Sequence, residues 1–244
     1  NLEMGWNSDS VALVRWSKAE HQEATEILDV ERCRMVEGQG QTGRGGELSG
    51  YTRAYIRMSP DGSTAGAWRA GVSPSGLVLI RIGEKALEWK YQHDSVGYVV
   101  PSDDGAMVFT QMGIYSAEDI TIVGNRDAQR DRAWTLPMQG GTFYLSLVTA
   151  NGETKGAVHI LSSRQKLVTL PKPLFEKTEW NMYATPESDL TLDKRIIALP
   201  SSKLLVIIPT SNDRLLLRRL DLEATLDQSG IDYLFVASQP PTSA

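Results

Sequence analysis

Cysteine is nearly absent. A single thiol, Cys33, in 244 residues permits no intrachain disulfide and no cysteine zinc site. Histidine is scarce as well. His21, His93 and His159 show neither H-E-x-x-H nor other ligand spacing, so neither a metal nor a cofactor is expected. The serines lack a Gly-x-Ser-x-Gly elbow, which leaves a hydrolase of that type unsupported. No run of 18 apolar residues occurs, so no membrane insertion by a helix is expected. Basic charge is not in excess: 25 Lys and Arg stand against 30 Asp and Glu, for a net charge of −5 and a pI near 5.3. A duplex nucleic-acid binder carries a basic face, so nucleic acid is not expected as a partner. There is no Asn-x-Ser/Thr sequon. The chain opens at Asn1 with neither methionine nor signal peptide, and it reads as a fragment or processed product.

What the chain has is repetition. Five stretches share one pattern: an apolar strand-like run, a tight polar turn, then a second such run. They begin at Met4, Tyr55, Gly97, Phe143 and Arg195. Their turns lie near Asp9, Asp61, Asp104, Asn151 and Ser202 and recur every 43 to 52 residues. That period belongs to propeller blades, so the expected fold is an all-β propeller of four-stranded antiparallel blades. Blades are expected near 4–50, 51–92, 96–137, 141–185 and 194–237, with an exit linker at 239–244. About five blades are visible, forming a five-bladed ring or part of a larger one.

The second repeat predicts strands at 52–58, 64–69, 77–82 and 86–91, and the third at 97–100, 106–111, 114–117 and 120–123. Asp61-Gly62 and Asp104-Gly105 read as hairpin turns, because glycine takes positive φ without steric cost. Residues 17–35 have helix-like composition, but blade periodicity asks for a strand at 25–30. Residues 231–237 form one more strand, expected to close the ring by pairing with 11–16.

Arg57-Met-Ser-Pro-Asp-Gly62 resembles the first turn of a WD40-like blade. Gly83-Glu-Lys-Ala-Leu-Glu-Trp-Lys90 resembles the end of a quinoprotein-like one. The resemblance is at blade level and covers most of the chain, although neither Trp-Asp nor Gly-His occurs. It implies a rigid ring whose end loops carry recognition. A further resemblance, to large modular proteins in which a propeller precedes another domain, implies further domains in a longer chain.

Gly38, Gly40 and Gly43 have G-x-G-x-x-G spacing, but a strand-like run rather than a helix follows, so the segment reads as a surface loop. Ser102-Asp-Asp-Gly105 clusters carboxylates without the alternating ligands of a calcium loop and reads as a turn. His93 and Asp94 sit in an expected inter-blade loop. Residues 124–134 mix both charge signs beside a tryptophan. Arg126, Arg130 and Trp134 are there candidates for a partner-binding rim, since Arg and Trp are favoured at interface hot spots. The expected function is a non-catalytic binding or scaffold role toward a protein partner, through the loops at 71–76, 92–95, 124–131 and 171–187. The alternative is a propeller enzyme with a quinone or metal site in its central channel.

Overall fold

The computed structural model describes the strands at 2–4, 10–16, 23–29, 34–35 and 41–42, and then residues 54–69, 73–83, 87–124, 134–150, 153–170, 174, 192–209, 214–220 and 222. The chain divides into two units: 1–137 with 185–189, and 138–184 with 190–244. The fold is all-β and of the propeller class, built from antiparallel sheets whose strands pair in chain order. The only α-helix among the described residues is one turn, α1 (Leu192–Arg195), so none is long enough to cross a membrane.

In the first unit, β1 (Leu2–Met4), β2 (Ser10–Trp16), β3 (Glu23–Asp29) and β4 (Arg34–Met35) form the first sheet. The helix-like composition around residue 25 thus gives way to a strand, since β3 pairs with β2 along its whole length. The two edges of Val11–Leu13 are taken by β1 and β3. The expected closing strand at 231–237, which was to pair with 11–16, falls outside the described residues. So do Cys33, His21 and the glycine-rich loop at 37–40 and 43–46.

The short β5 (Gln41–Thr42) lies parallel beside the second sheet, whose antiparallel strands are β6 (Ala54–Met58), β7 (Thr64–Arg69), β8 (Leu77–Ile82) and β9 (Leu87–Gln92). The register aligns Ile56, Ala67, Val78 and Tyr91 in one row, and Met58, Ala65, Ile80 and Trp89 in the next. These residues, with Ile82, pack together as a core on one face of the sheet. β7 is buried from Thr64 to Trp68, which means that both of its faces are covered. Its small residues let neighbouring sheets approach closely. On the far face Tyr55 stacks on Trp68 at 5.5 Å, and the Arg57 guanidinium lies 5.4 Å from the Trp68 ring centre.

The third sheet is β10 (Val99–Pro101), β11 (Met107–Thr110), β12 (Ile114–Ser116) and β13 (Ile122–Gly124). Ile120 takes a positive φ of 57° in the turn, so the last strand starts at Ile122 rather than 120. β14 (Trp134–Pro137) ends the first unit. The second unit contains the meander β15 (Phe143–Ala150), β16 (Glu153–Ile160) and β17 (Lys166–Thr169), and a sheet of β18 (Ile196–Leu199), β19 (Leu204–Ile207) and β20 (Leu216–Arg219).

One turn recurs throughout. Gly62 N–H donates to Ser59 O, Gly105 to Ser102 O, Gly141 to Met138 O and Lys203 to Pro200 O. The donating residue has a φ of 75°, 64°, 69° and 49° respectively. In the first two, 43 residues apart, the side chains repeat as well. Ser59 Oγ donates to Asp61 Oδ1 and accepts from Thr64 N–H; Ser102 Oγ donates to Asp104 Oδ1 and accepts from Met107 N–H. The fourth repeat is phased differently from the sequence expectation. Its equivalent turn is at Gly140-Gly141, not at Asn151, which lies outside the described residues.

Candidate functional site

β7 runs opposite to β6 and β8, and β11 opposite to β10 and β12. The connections after the second strand of each sheet therefore emerge at the same end as the linker from β9 to β10. Three described loops meet there: 73–76, 93–98 and 111–113.

Hydrogen bonds tie them together. Ser75 is buried, and its Oγ accepts from the N–H groups of Val96 and Gly97, 3.1 Å each. Gly76 N–H donates to Asp94 O at 2.9 Å, and Gln111 N–H donates to Val96 O at 2.9 Å. Ser73 Oγ and Ser95 Oγ are 3.1 Å apart. Further along, Tyr98 Oη donates to Thr135 O, and Thr135 Oγ1 donates to Thr110 O at 2.9 Å. Backbone groups that a loop would otherwise leave to water are thus satisfied across neighbouring elements.

Above this layer stand exposed polar side chains: Ser73, His93, Asp94 and Ser95. His93 Nδ1 lies 2.7 Å from Tyr91 Oη, with the rings edge to face. One Asp94 carboxylate oxygen accepts from Ser95 N–H at 2.9 Å. The charge of Asp94 also reaches Tyr115: burial first, and this carboxylate second, hold the Tyr115 phenol above its ordinary value.

Of the sequence candidates, His93 and Asp94 are placed side by side at this end. Arg126 and Arg130 lie outside the described residues. Trp134 is corrected: at 4% exposure in β14 it belongs to the core and presents no surface to a partner. Ser102-Asp-Asp-Gly105 is the hydrogen-bonded turn described above, and Asp104 Oδ1 also accepts from Ala106 N–H. Sequence reasoning missed Ser75, Tyr91 and Tyr115, whose partners lie in other strands or linkers.

The second unit holds a separate polar pair. Ser146 Oγ lies 2.7 Å from His159 Nε2, His159 Nδ1 faces Arg164 O at 3.4 Å, and the imidazole stacks on Tyr144 at 4.8 Å. Burial holds the imidazole below its ordinary value; the Arg164 carbonyl opposes that and the Lys166 charge adds to it. Ser146 lies flat in a strand at 8% exposure, without the sharp turn that presents a nucleophile. Among the described residues no group of three or more His, Cys, Asp or Glu is placed to hold a metal.

No known family profile matches the chain, and no curated protein matches it. Solved structures do. A hydrazine synthase of Kuenenia stuttgartiensis superposes with a TM-score of 0.47 at 11% identity, over 85% of this chain and 54% of that one. One of two prolyl endopeptidases superposes with a TM-score of 0.50 at 8% identity, over 86% of this chain and 33% of that one. The β-propeller domain of Cps50 (Swd1) from Myceliophteria thermophila gives 0.44 at 10% identity, over 86% of this chain and 67% of that one. The chain thus spans about half of the synthase chain and a third of the endopeptidase chain. At such identities the likeness extends to the fold alone.

Proposed function

We propose that this propeller is a binding module that engages a polypeptide segment at the end formed by the 73–76 and 92–97 loops. One observation carries the reading. The loop backbones are fixed by buried Ser75, while Ser73, His93, Asp94 and Ser95 above them stay exposed. A surface already ordered in the free protein loses little conformational freedom on binding. Its groups are hydroxyls, an imidazole–phenol pair and one carboxylate. That set suits a segment offering N–H donors and a basic side chain.

The test is a photo-crosslinking residue installed at position 73 or, as a control at the opposite end, at position 121, in cells that make the protein. Crosslinking to a polypeptide from position 73, lost in an Asp94→Lys background and absent from position 121, supports the reading. Equal yields at both positions, or none from position 73, overturn it.

A further inference from the structure

Tyr115 carries a hydroxyl that the fold does not use. Its ring is packed away in β12 at 1% exposure. Among the described residues nothing hydrogen-bonds the hydroxyl, although its oxygen still touches solvent. The buried phenol of Tyr98, by contrast, donates to Thr135 O. A polar group packed into a core without a partner lowers stability, so its presence needs a reason.

The surroundings of Tyr115 supply one. The register puts Val99, Pro101, Val108 and Tyr115 on one face of the third sheet. It puts Gly66, Leu79 and Lys90 in a row on the second sheet, with Leu77 and Gln92 on the same face. These two faces meet, since Gly66 abuts Val99 and Lys90 Nζ donates to Glu118 O, just beyond β12. Asp94 follows Gln92 at the loop end, and its charge acts on the Tyr115 phenol. No described cation pairs with Asp94. The lysine on the same face, Lys90, is held by Glu88 at 3.4 Å and by the Glu118 carbonyl. Asp94 Oδ1 accepts from Ser95 N–H at 2.9 Å, whereas Oδ2 receives only Gln92 Nε2, at 3.5 Å.

We propose that this end takes a primary ammonium group of the bound segment, a lysine side chain or a free amino terminus, between Asp94 Oδ2 and the Tyr115 hydroxyl. The inference rests on the binding role given above and adds what that end recognises. An ammonium is a compact charge with three donors, so it meets a carboxylate and a phenol oxygen at once. A guanidinium binds a carboxylate best through both oxygens in a fork, and Oδ1 is already engaged by Ser95. The Tyr115 hydroxyl thus acts as the specificity element and Asp94 as the counter-charge.

The test titrates the full chain with a capped pentaglycine peptide carrying lysine at its centre, and with its arginine and glutamine counterparts. A fourth probe is pentaglycine amide with a free amino terminus. The Ser95 and Val96 amide resonances report binding. At least one of the two ammonium peptides should saturate at millimolar concentration, and which one identifies the source of the group. The arginine peptide should bind about fivefold more weakly or less. Asp94→Asn should abolish the shifts, and Tyr115→Phe should weaken binding about tenfold. The urea midpoint of Tyr115→Phe should stay level or rise, because only a hydroxyl without a hydrogen bond is removed. No saturation by either ammonium peptide, equal binding of the arginine peptide, or undiminished binding by Tyr115→Phe overturns the proposal. If Tyr115→Phe does not fold, the arginine comparison and Asp94→Asn still decide it. Crosslinking from position 73 that persists beside a failed titration keeps the binding end and removes only the ammonium assignment.

Discussion

Gly66 stands so close to Val99 that a methyl group on it would lie 2.7 Å from Val99 Cγ1 and 2.9 Å from its carbonyl oxygen. The second and third sheets meet backbone to side chain at this point. The carbonyl cannot swing away without disturbing β10. Gly66→Ala should therefore destabilise the protein by about 1–3 kcal/mol, the usual cost of overpacking. The midpoint of urea unfolding measures it. An unchanged midpoint would mean that the two sheets separate at no cost.

Ser75→Ala removes the acceptor of two backbone N–H groups. Val96 is fully buried, so no water replaces the hydroxyl there. A loss of about 1–3 kcal/mol follows from leaving a buried donor unpaired. Amide exchange locates it: Val96 and Gly97 should speed up, while Gly62 and Gly105 at the other end should not. A uniform change across all four amides would contradict this placement.

Lys203 occupies the position that glycine holds in the other three turns of its kind, at a φ of 49°. A left-handed backbone costs an L-residue about 1–2 kcal/mol, and glycine gives back about 0.5–1 kcal/mol of it as unfolded-chain entropy. Lys203→Gly should raise the melting temperature by a few degrees at most. The preceding Pro200 fits the same logic, since this turn needs its carbonyl. A fall in melting temperature would show that the lysine side chain contributes more than its backbone costs.

His159 should make the protein sensitive to mild acid. Nδ1 faces a carbonyl and Nε2 faces a hydroxyl, so the neutral ring satisfies both contacts with its proton on Nδ1. The folded value lies below the ordinary 6.5. The unfolded chain therefore takes the proton first. The stabilisation is complete above about pH 6.5 and is lost as pH falls through the folded value. Unfolding midpoints between pH 7.5 and 5.0 should drop more steeply for the parent than for His159→Gln. Parallel curves would contradict the assignment.

Much of the fold was legible because its turns are locally encoded. Pro60-Asp61-Gly62 and Asp103-Asp104-Gly105 carry their hydrogen-bond acceptors and their left-handed residue within a few positions. β7 and β8 accordingly fall at the expected residues. Where the turn used Gly140-Gly141 without an Asp, the phase of the fourth repeat was missed. His93 and Asp94 were legible as a polar interruption between two apolar runs. Ser75 was not, because the amides it serves lie 21 and 22 residues away. Trp134 follows a charged run, and only the apolar residues after it, in β14, mark the onset of a buried strand.

The two ends of the first unit are fastened differently. At one end the carboxylates of Asp61, Asp104 and Asp119 accept hydrogen bonds from within their own turns. At the other, bonds run from Ser75 to Val96 and Gly97, from Gln111 to Val96, and from Thr135 to Thr110. Adjacent sheets are thus bound like pages at a spine. A partner seated on the spine holds several pages at once, so its binding should be felt as resistance to opening along every page it touches.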